Sequence, residues 1–327
     1  MKNMNKVLAS VMATGLLLTG CSSTTSTSTA TATTSDEYDS SWYTGPGYDK
    51  LYEELGKADV DLSNADGVLK EILEEGVITM ATSPDYPPSE FVADDGSVKG
   101  SDIMLGQYIA NSLGVELDVE TMDFNAVLTA VDTGKVDMGI SGFGYKEDRA
   151  EQFELSIGYQ SGSSAAHHTL LINAEDLDKF NSLDDFNSAE LTIDAQANSL
   201  QEMYVTDELP NANLQKVSTL DQAKLELQTD KIDAIALDAT TAANYAEASD
   251  GKFVSVYVEK EIEFDLTPYA DTQGNVVAVK KGETSLIEVI NEIVTQMMVD
   301  GKYEDNLYTD MYYAACDAAQ IVPNEDE

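Results

Sequence analysis

The chain has 327 residues, 43% of them hydrophobic and 24% charged, enough for the cores of about two domains once a short leader is set aside. Sixty acidic residues stand against 18 basic ones, a formal net charge of −42. That balance excludes nucleic acid as a partner, since affinity for a phosphate backbone depends on Lys and Arg, and it works against anionic ligands within the roughly 8 Å over which salt leaves a field unscreened.

Residues 1–21 read MKNMNKVLASVMATGLLLTGC. Lys2 and Lys6 form a positive n-region, and Val7 to Leu18 an apolar stretch too short to span a bilayer, which is the pattern of a secretory signal. Leu18-Thr19-Gly20-Cys21 closes it and resembles the bacterial lipobox, in which the Cys thiol is lipidated and becomes the mature N-terminus; two acyl chains suffice for stable anchoring. Cys316 then has no disulfide partner, because the chain has only two cysteines. Residues 22–35 are a Ser/Thr tract that cannot bury apolar surface and reads as a tether. Residues 36–65 are acidic and carry Tyr38, Trp42, Tyr43, Tyr48 and Tyr52, too aromatic for a plain linker.

From residue 66 the pattern becomes regular. VLKEILEEG (68–76) is a short helix with Leu69, Ile72 and Leu73 on one face and Gly76 as its stop. VITMATS (77–83) is a buried strand, PDYPPSEF a Pro-rich turn, and 102–113 a helix ended by Gly114. VELDVETM alternates as a strand, FNAVLTAVDTG is an amphipathic helix, and KVDMGIS is another buried strand. This alternation implies α/β units around a mainly parallel sheet.

Two distant segments match. Residues 124–141, FNAVLTAVDTGKVDMGIS, and 220–238, LDQAKLELQTDKIDAIALD, each run helix, polar turn, Lys, aliphatic, Asp, strand. The repeat predicts two lobes of similar α/β design. Ligands of open α/β sheets bind at the carboxyl ends of strands, and pockets favour domain interfaces. The strands end at Ser141-Gly142 and Asp238, so the pattern places a small-molecule cleft between the lobes without naming the ligand.

The run GVITMATSPDYPPSEFVADDGSVKGSDIMLGQYIANSLGVELD resembles the opening of solute-binding protein family 3, the extracellular receptors of polar amino acid ABC importers. GKVDMGISGFGYKEDRAEQFELSIGY, KIDAIALDATTAANYA and GNVVAVKKGETSLIEVINEIVTQMMVDGKYEDNLYTDMY are similar to its later motifs, in order, so the likeness covers about residues 66–313. The resemblance implies a two-lobed periplasmic-binding-protein-like fold of type II, each lobe a mainly parallel sheet with flanking helices, joined by a hinge of crossing strands. The first lobe is expected over 66–163 plus 273–315, the second over 164–272, and an acidic tail over 316–327. It also implies a receptor, not an enzyme, that hands an amino acid to a permease and ATPase from outside the cell membrane.

By matching position, Arg149 grips the ligand carboxylate and Asp238 takes its ammonium. Gly142 and Gly144 offer backbone donors and Ser141 a hydroxyl, Ser199 and Leu200 a hydroxyl and an N–H, and Tyr86 and Phe124 pack on the ligand. Arg149 is the only Arg in the chain, and its planar fork matches a carboxylate as Lys cannot. Asp238 ends an apolar strand, where a buried carboxylate needs a cation or the N-terminus of the helix that follows. Ser83 stands where receptors for cationic amino acids often carry an acid, so the expected ligand has a neutral side chain. Several positions depart from the family pattern. Ser89 and Ser101 replace Phe, Gly144 replaces a hydroxyl residue, Gly158 and Gln160 replace Pro and Tyr, and AQANSLQE lacks a Gly before its hydroxyl residue. The adjacent His167 and His168 point to opposite faces of a strand and read as solvated, not as a metal site; neither metal nor cofactor is expected. Two other functions remain open, a sensing or interaction lipoprotein on this fold and a dehydratase-like enzyme using carboxylates for acid–base work.

Overall fold

The computed structural model describes residues 40–159, 167–266, 274–299 and 306–323. Cys21, the tether 22–35 and the lobe boundaries expected at 163/164 and 272/273 lie outside them.

The first lobe opens with helices α1 (Tyr48–Glu53) and α2 (Gly67–Glu75) and strand β1 (Val77–Thr82). A ribbon of β2 (Asp85–Tyr86), β3 (Glu90–Val92) and β4 (Val98–Lys99) follows, then α3 (Ser101–Leu113), β5 (Glu116–Thr121), α4 (Phe124–Asp132), β6 (Met138–Gly139), α5 (Glu147–Gln152) and β7 (Phe153–Leu155). The second lobe holds β8 (His168–Asn173), β9 (Thr192–Gln196), α6 (Leu200–Glu208), β10 (Asn213–Val217), α7 (Leu220–Gln228), β11 (Ala234–Asp238), α8 (Ala239–Glu247), β12 (Phe253–Ser255) and α9 (Val256–Lys260). The chain then returns through β13 (Ala278–Lys280), α10 (Thr284–Met297) and α11 (Leu307–Ala319).

The two five-stranded sheets share one plan. Their orders are β5-β1-β6-β13-β7 and β10-β9-β11-β8-β12, in each of which the first three strands and the fifth run one way and the fourth runs against them. β6 and β11, the strands of the internal repeat, hold the same central place, so the repeat is structural. Both sheets are covered on both faces, which is why inner strands such as β1 and β11 read as apolar runs, while the edge strands β5 and β10 carry polar residues. In β11, Ala234 and Ala236 enter one core while Ile235 and Leu237 enter the other. In β1, Ile78 and Met80 likewise face one side and Ala81 the other.

Gly76 and Gly114 end α2 and α3 in the left-handed region, at φ of 77° and 72°, which a Cβ would disfavour. The Pro-rich segment read as a turn contributes two strands, because Asp85 and Tyr86 pair with Phe91 and Glu90. The acidic tail begins later than residue 316. α11 runs to Ala319, and Cys316 is fully buried, its thiol pushed well up by that burial. The aromatic extension is part of the first lobe. Tyr48, Leu51, Leu55 and Ala58 enter its core, and the Tyr48 hydroxyl both donates to the Gly100 carbonyl (3.1 Å) and accepts the Gly100 N–H (2.9 Å).

Candidate functional site

The carboxyl ends of β1, β6, β9 and β11 converge on one cleft, where strands of an open α/β sheet are expected to present their ligand. All the residues picked from the sequence line it except Ser83. Ser83 is buried beneath the wall, its N–H bonded to Ser141 Oγ (3.0 Å) and its hydroxyl to Asp85 Oδ1 (3.0 Å).

Arg149 projects from α5 and is 4% exposed. Its Nη2 donates to the Asn198 carbonyl of the second lobe (2.8 Å), its Nη1 to the Gly144 carbonyl, and its guanidinium lies 5.2 Å from the centre of the Phe143 ring. Among the described residues it forms no ion pair; burial lowers its pKa to about 10, and Asp148 opposes that shift. A buried guanidinium held only by carbonyls keeps its positive charge available for an anionic group. Asp238 caps α8, its Oδ1 accepting the Thr241 N–H (2.8 Å), while Oδ2 accepts the Tyr86 hydroxyl from the opposite lobe. Cap and cation partner are compatible roles for Asp238, because each carboxylate oxygen can accept more than one hydrogen bond.

Two expected donors face inward. The Ser141 hydroxyl donates to Glu90 Oε1 (2.9 Å) and accepts from Ser83, and the Gly142 N–H goes to Asp102 Oδ2 (2.9 Å). Both build the cleft floor. Gly144 differs. Tyr145 N–H to Gly274 and Val276 N–H to Phe143 flank it in an antiparallel bridge with Asn275. In that geometry the Gly144 N–H points away from the pairing strand. A Cβ on Gly144 would run into the Leu200 side chain, so Leu200 of the second lobe fills the niche the missing side chain leaves. Ser199 caps α6, accepting the Glu202 N–H (3.1 Å), which commits its oxygen as an acceptor. Phe124 packs on Phe143 with ring centres 4.8 Å apart.

The sequence analysis did not assign Asp85, Glu90, His168 or Gln196 to the cleft, yet all of them line it. Glu90 is fully buried, and desolvation, then the charge of Asp102, raises its pKa well above the carboxylate range. It therefore holds a proton. Asp102, whose pKa burial raises to about 6, is the anionic member, accepting from Gly142, Tyr159 (2.9 Å) and Tyr308 (3.3 Å). Tyr308 also meets Ser101 Oγ at 3.1 Å, occupying space beside one of the positions where Ser stands for Phe. His168 is not solvated. It is 5% exposed, packs on Tyr204, bonds Gln201 through Nδ1 (3.1 Å), and burial lowers its pKa to about 4, so the ring is neutral. His167 turns the other way and pairs with Glu263. Among the described residues no group of His, Cys, Asp or Glu could hold a metal ion, and no helix is long and apolar enough to cross a membrane.

A crystal structure of an amino acid ABC transporter substrate-binding protein from Streptococcus pneumoniae, bound to L-arginine, is 30% identical to the chain, with a TM-score of 0.67, over 79% of this chain and all of that one. Glutamate-binding protein GluB of Corynebacterium efficiens is 27% identical over 251 residues, covering 75% of this chain and 81% of GluB. The ancestral amino acid-binding protein AncCDT-1, a precursor of cyclohexadienyl dehydratase, is 26% identical with a TM-score of 0.63, over 75% of this chain and all of that one. These relatives are binding proteins, and they share the two-lobed fold. The model of the bacterial extracellular solute-binding proteins, family 3, matches residues 78–309, and the chain belongs to that family.

Proposed function

We propose that the protein is the receptor of an amino acid ABC importer and binds an α-amino acid between its lobes, with Arg149 on the carboxylate and Asp238 on the ammonium. The observation that carries this reading is Arg149 itself: a 4% exposed guanidinium at the cleft wall, without a carboxylate partner among the described residues. The relatives named for glutamate and arginine support an amino acid ligand.

The ligand side chain is better read as cationic than as neutral. The neutral expectation rested on Ser83, which does not line the cleft. Once a zwitterion cancels Arg149 and Asp238, the acid left among the described lining residues is Asp85, whose pKa burial raises but the Leu220, Ser83 and Gln196 donors hold down, while Glu90 and His168 are held neutral. A residual negative charge in a partly desolvated cleft favours a positive side chain and opposes a negative one, and the arginine-bound relative agrees with this reading. Calorimetry across arginine, lysine, glutamine, cystine and glutamate tests it. Arginine or lysine should bind at least tenfold tighter than glutamate, a difference of about 1.4 kcal/mol. Tightest binding of glutamate would overturn the charge argument, and no binding of any amino acid would overturn the receptor reading.

The same proposal places the protein outside the cell, tethered through a lipidated Cys21. Its support is the Leu-Thr-Gly-Cys sequence after a short apolar run. Cys21→Ala should appear in the medium or as an unprocessed precursor. A mature-length Cys21→Ala protein still sedimenting with membranes would refute the anchor.

A further inference from the structure

Asp85 lines the cleft, but its polar atoms are directed elsewhere. Its Oδ2 accepts the N–H of Leu220, the first residue of α7 in the second lobe, at 2.9 Å, and the Gln196 amide at 3.2 Å. Its main-chain carbonyl accepts the Tyr245 hydroxyl of α8 at 3.0 Å. Only Oδ1 stays within the first lobe, on Ser83. Three of these four bonds therefore cross from one lobe to the other.

The partners suit the task. Thr219 caps α7 by accepting the Gln222 N–H, which leaves the Leu220 N–H as one of the donors a helix start cannot satisfy internally. An anion there also meets the positive end of the helix dipole. Tyr245 is 8% exposed, and its ring is covered by Lys224 at 4.2 Å, itself held by Asp221 at 2.7 Å, so the hydroxyl is offered from a fixed platform.

We propose that Asp85 is a clasp between the lobes, a positioning residue that favours closure of the cleft whether or not a ligand is bound. Its partners are Ser83, Gln196, Leu220 and Tyr245, and neither Arg149 nor Asp238 is among them. It acts on the open–closed balance, and through that balance on affinity, because apparent affinity scales with the fraction of molecules in the binding-competent form. The clasp rests on the two-lobed cleft and not on the identity of the ligand.

The test needs no ligand. Spin labels on Val92→Cys and Val258→Cys, exposed sites on opposite lobes, report the separation of the lobes, and buried Cys316 stays unlabelled. In the parent, a population with closed-cleft separation should be present without any amino acid. Asp85→Asn and Asp85→Ala should lower the ratio of closed to open forms by about tenfold, the scale of one charge-assisted hydrogen bond. Tyr245→Phe, which removes only the third cross-lobe bond, should shift the ratio the same way by less. With a ligand from the calorimetric panel, Tyr245→Phe, which leaves the cleft charge intact, should raise the dissociation rate. A parent that is wholly open, or distance distributions unchanged in Asp85→Ala and Tyr245→Phe, would overturn the clasp. Failure of the amino acid panel would leave these distances informative.

Discussion

Arg149→Ala should weaken ligand binding by thirty-fold or more with a near-parental melting curve. Removing one partner of a desolvated charge pair typically costs about 2–5 kcal/mol, and each 1.4 kcal/mol is about a factor of ten. The geometry supports the upper part of that range. The guanidinium is already fixed by the carbonyls of Gly144 and Asn198, so its charge is oriented before a carboxylate arrives. Arg149→Lys should bind nearly as poorly, because one ammonium cannot hold both carbonyls and also present a fork to the ligand. Asp238→Asn should lose the ammonium contact but keep the α8 cap, since an amide oxygen can still accept from Thr241. Calorimetry with the best amino acid of the panel reads all three variants. Parental affinity in Arg149→Ala would mean that the carboxylate is held elsewhere.

Asp194→Asn should stabilise the protein at pH 8 and flatten its pH dependence. Asp194 sits at the centre of β9 with no exposure; no well-formed hydrogen bond reaches either carboxylate oxygen among the described residues, and the Gln215 amide that acts on it is committed to Glu226. Burial, then the nearby charge of Glu226, raises its pKa to about 7. The folded state therefore binds this proton more tightly than the unfolded chain, where a carboxyl titrates near 4. Stability from this group is fully present below about pH 4 and is lost as the pH rises through about 7. Above that, the folded protein carries a buried anion with poor hydrogen bonding, a cost of about 1–3 kcal/mol by the usual scale. Asn mimics the protonated acid at every pH. Its melting temperature should exceed the parent's at pH 8 by several degrees, by less at pH 5, and converge with it near pH 4. Parallel melting curves from pH 5 to 8 would show that Asp194 does not carry the linkage.

The sequence was most informative where one residue's chemistry decided a position. The glycines that stop α2 and α3 and the repeat that marks β6 and β11 need only local rules, and the single Arg stood out by residue type alone. It was least informative about the destination of hydrogen bonds. Ser141 and Gly142 are at the cleft as expected, yet their donors turn to Glu90 and Asp102, residues that the chain brings close only through the β2–β3 ribbon and the start of α3. Asp85 and Ser83 show the same limit. They are two residues apart; the side chain read as facing the ligand is buried, and the one left unremarked reaches the other lobe. His168 looked solvated because adjacent histidines at a strand start are polar by composition, and only the packing of Tyr204 against it removes the water.

The place of β13 has a consequence for the order of folding. It is the fourth strand of the first sheet, between β6 and β7, yet it is drawn from residues 278–280 of a 327-residue chain. The strands of the second sheet all lie between residues 168 and 255, so that lobe can pair its strands as soon as one contiguous stretch is available. The first sheet cannot join β7 to its other strands until nearly the whole chain has emerged. Pairings of such long sequence separation form slowly. A chain synthesised from its N-terminus thus leaves its first lobe unfinished until the end, while its second lobe can already be complete.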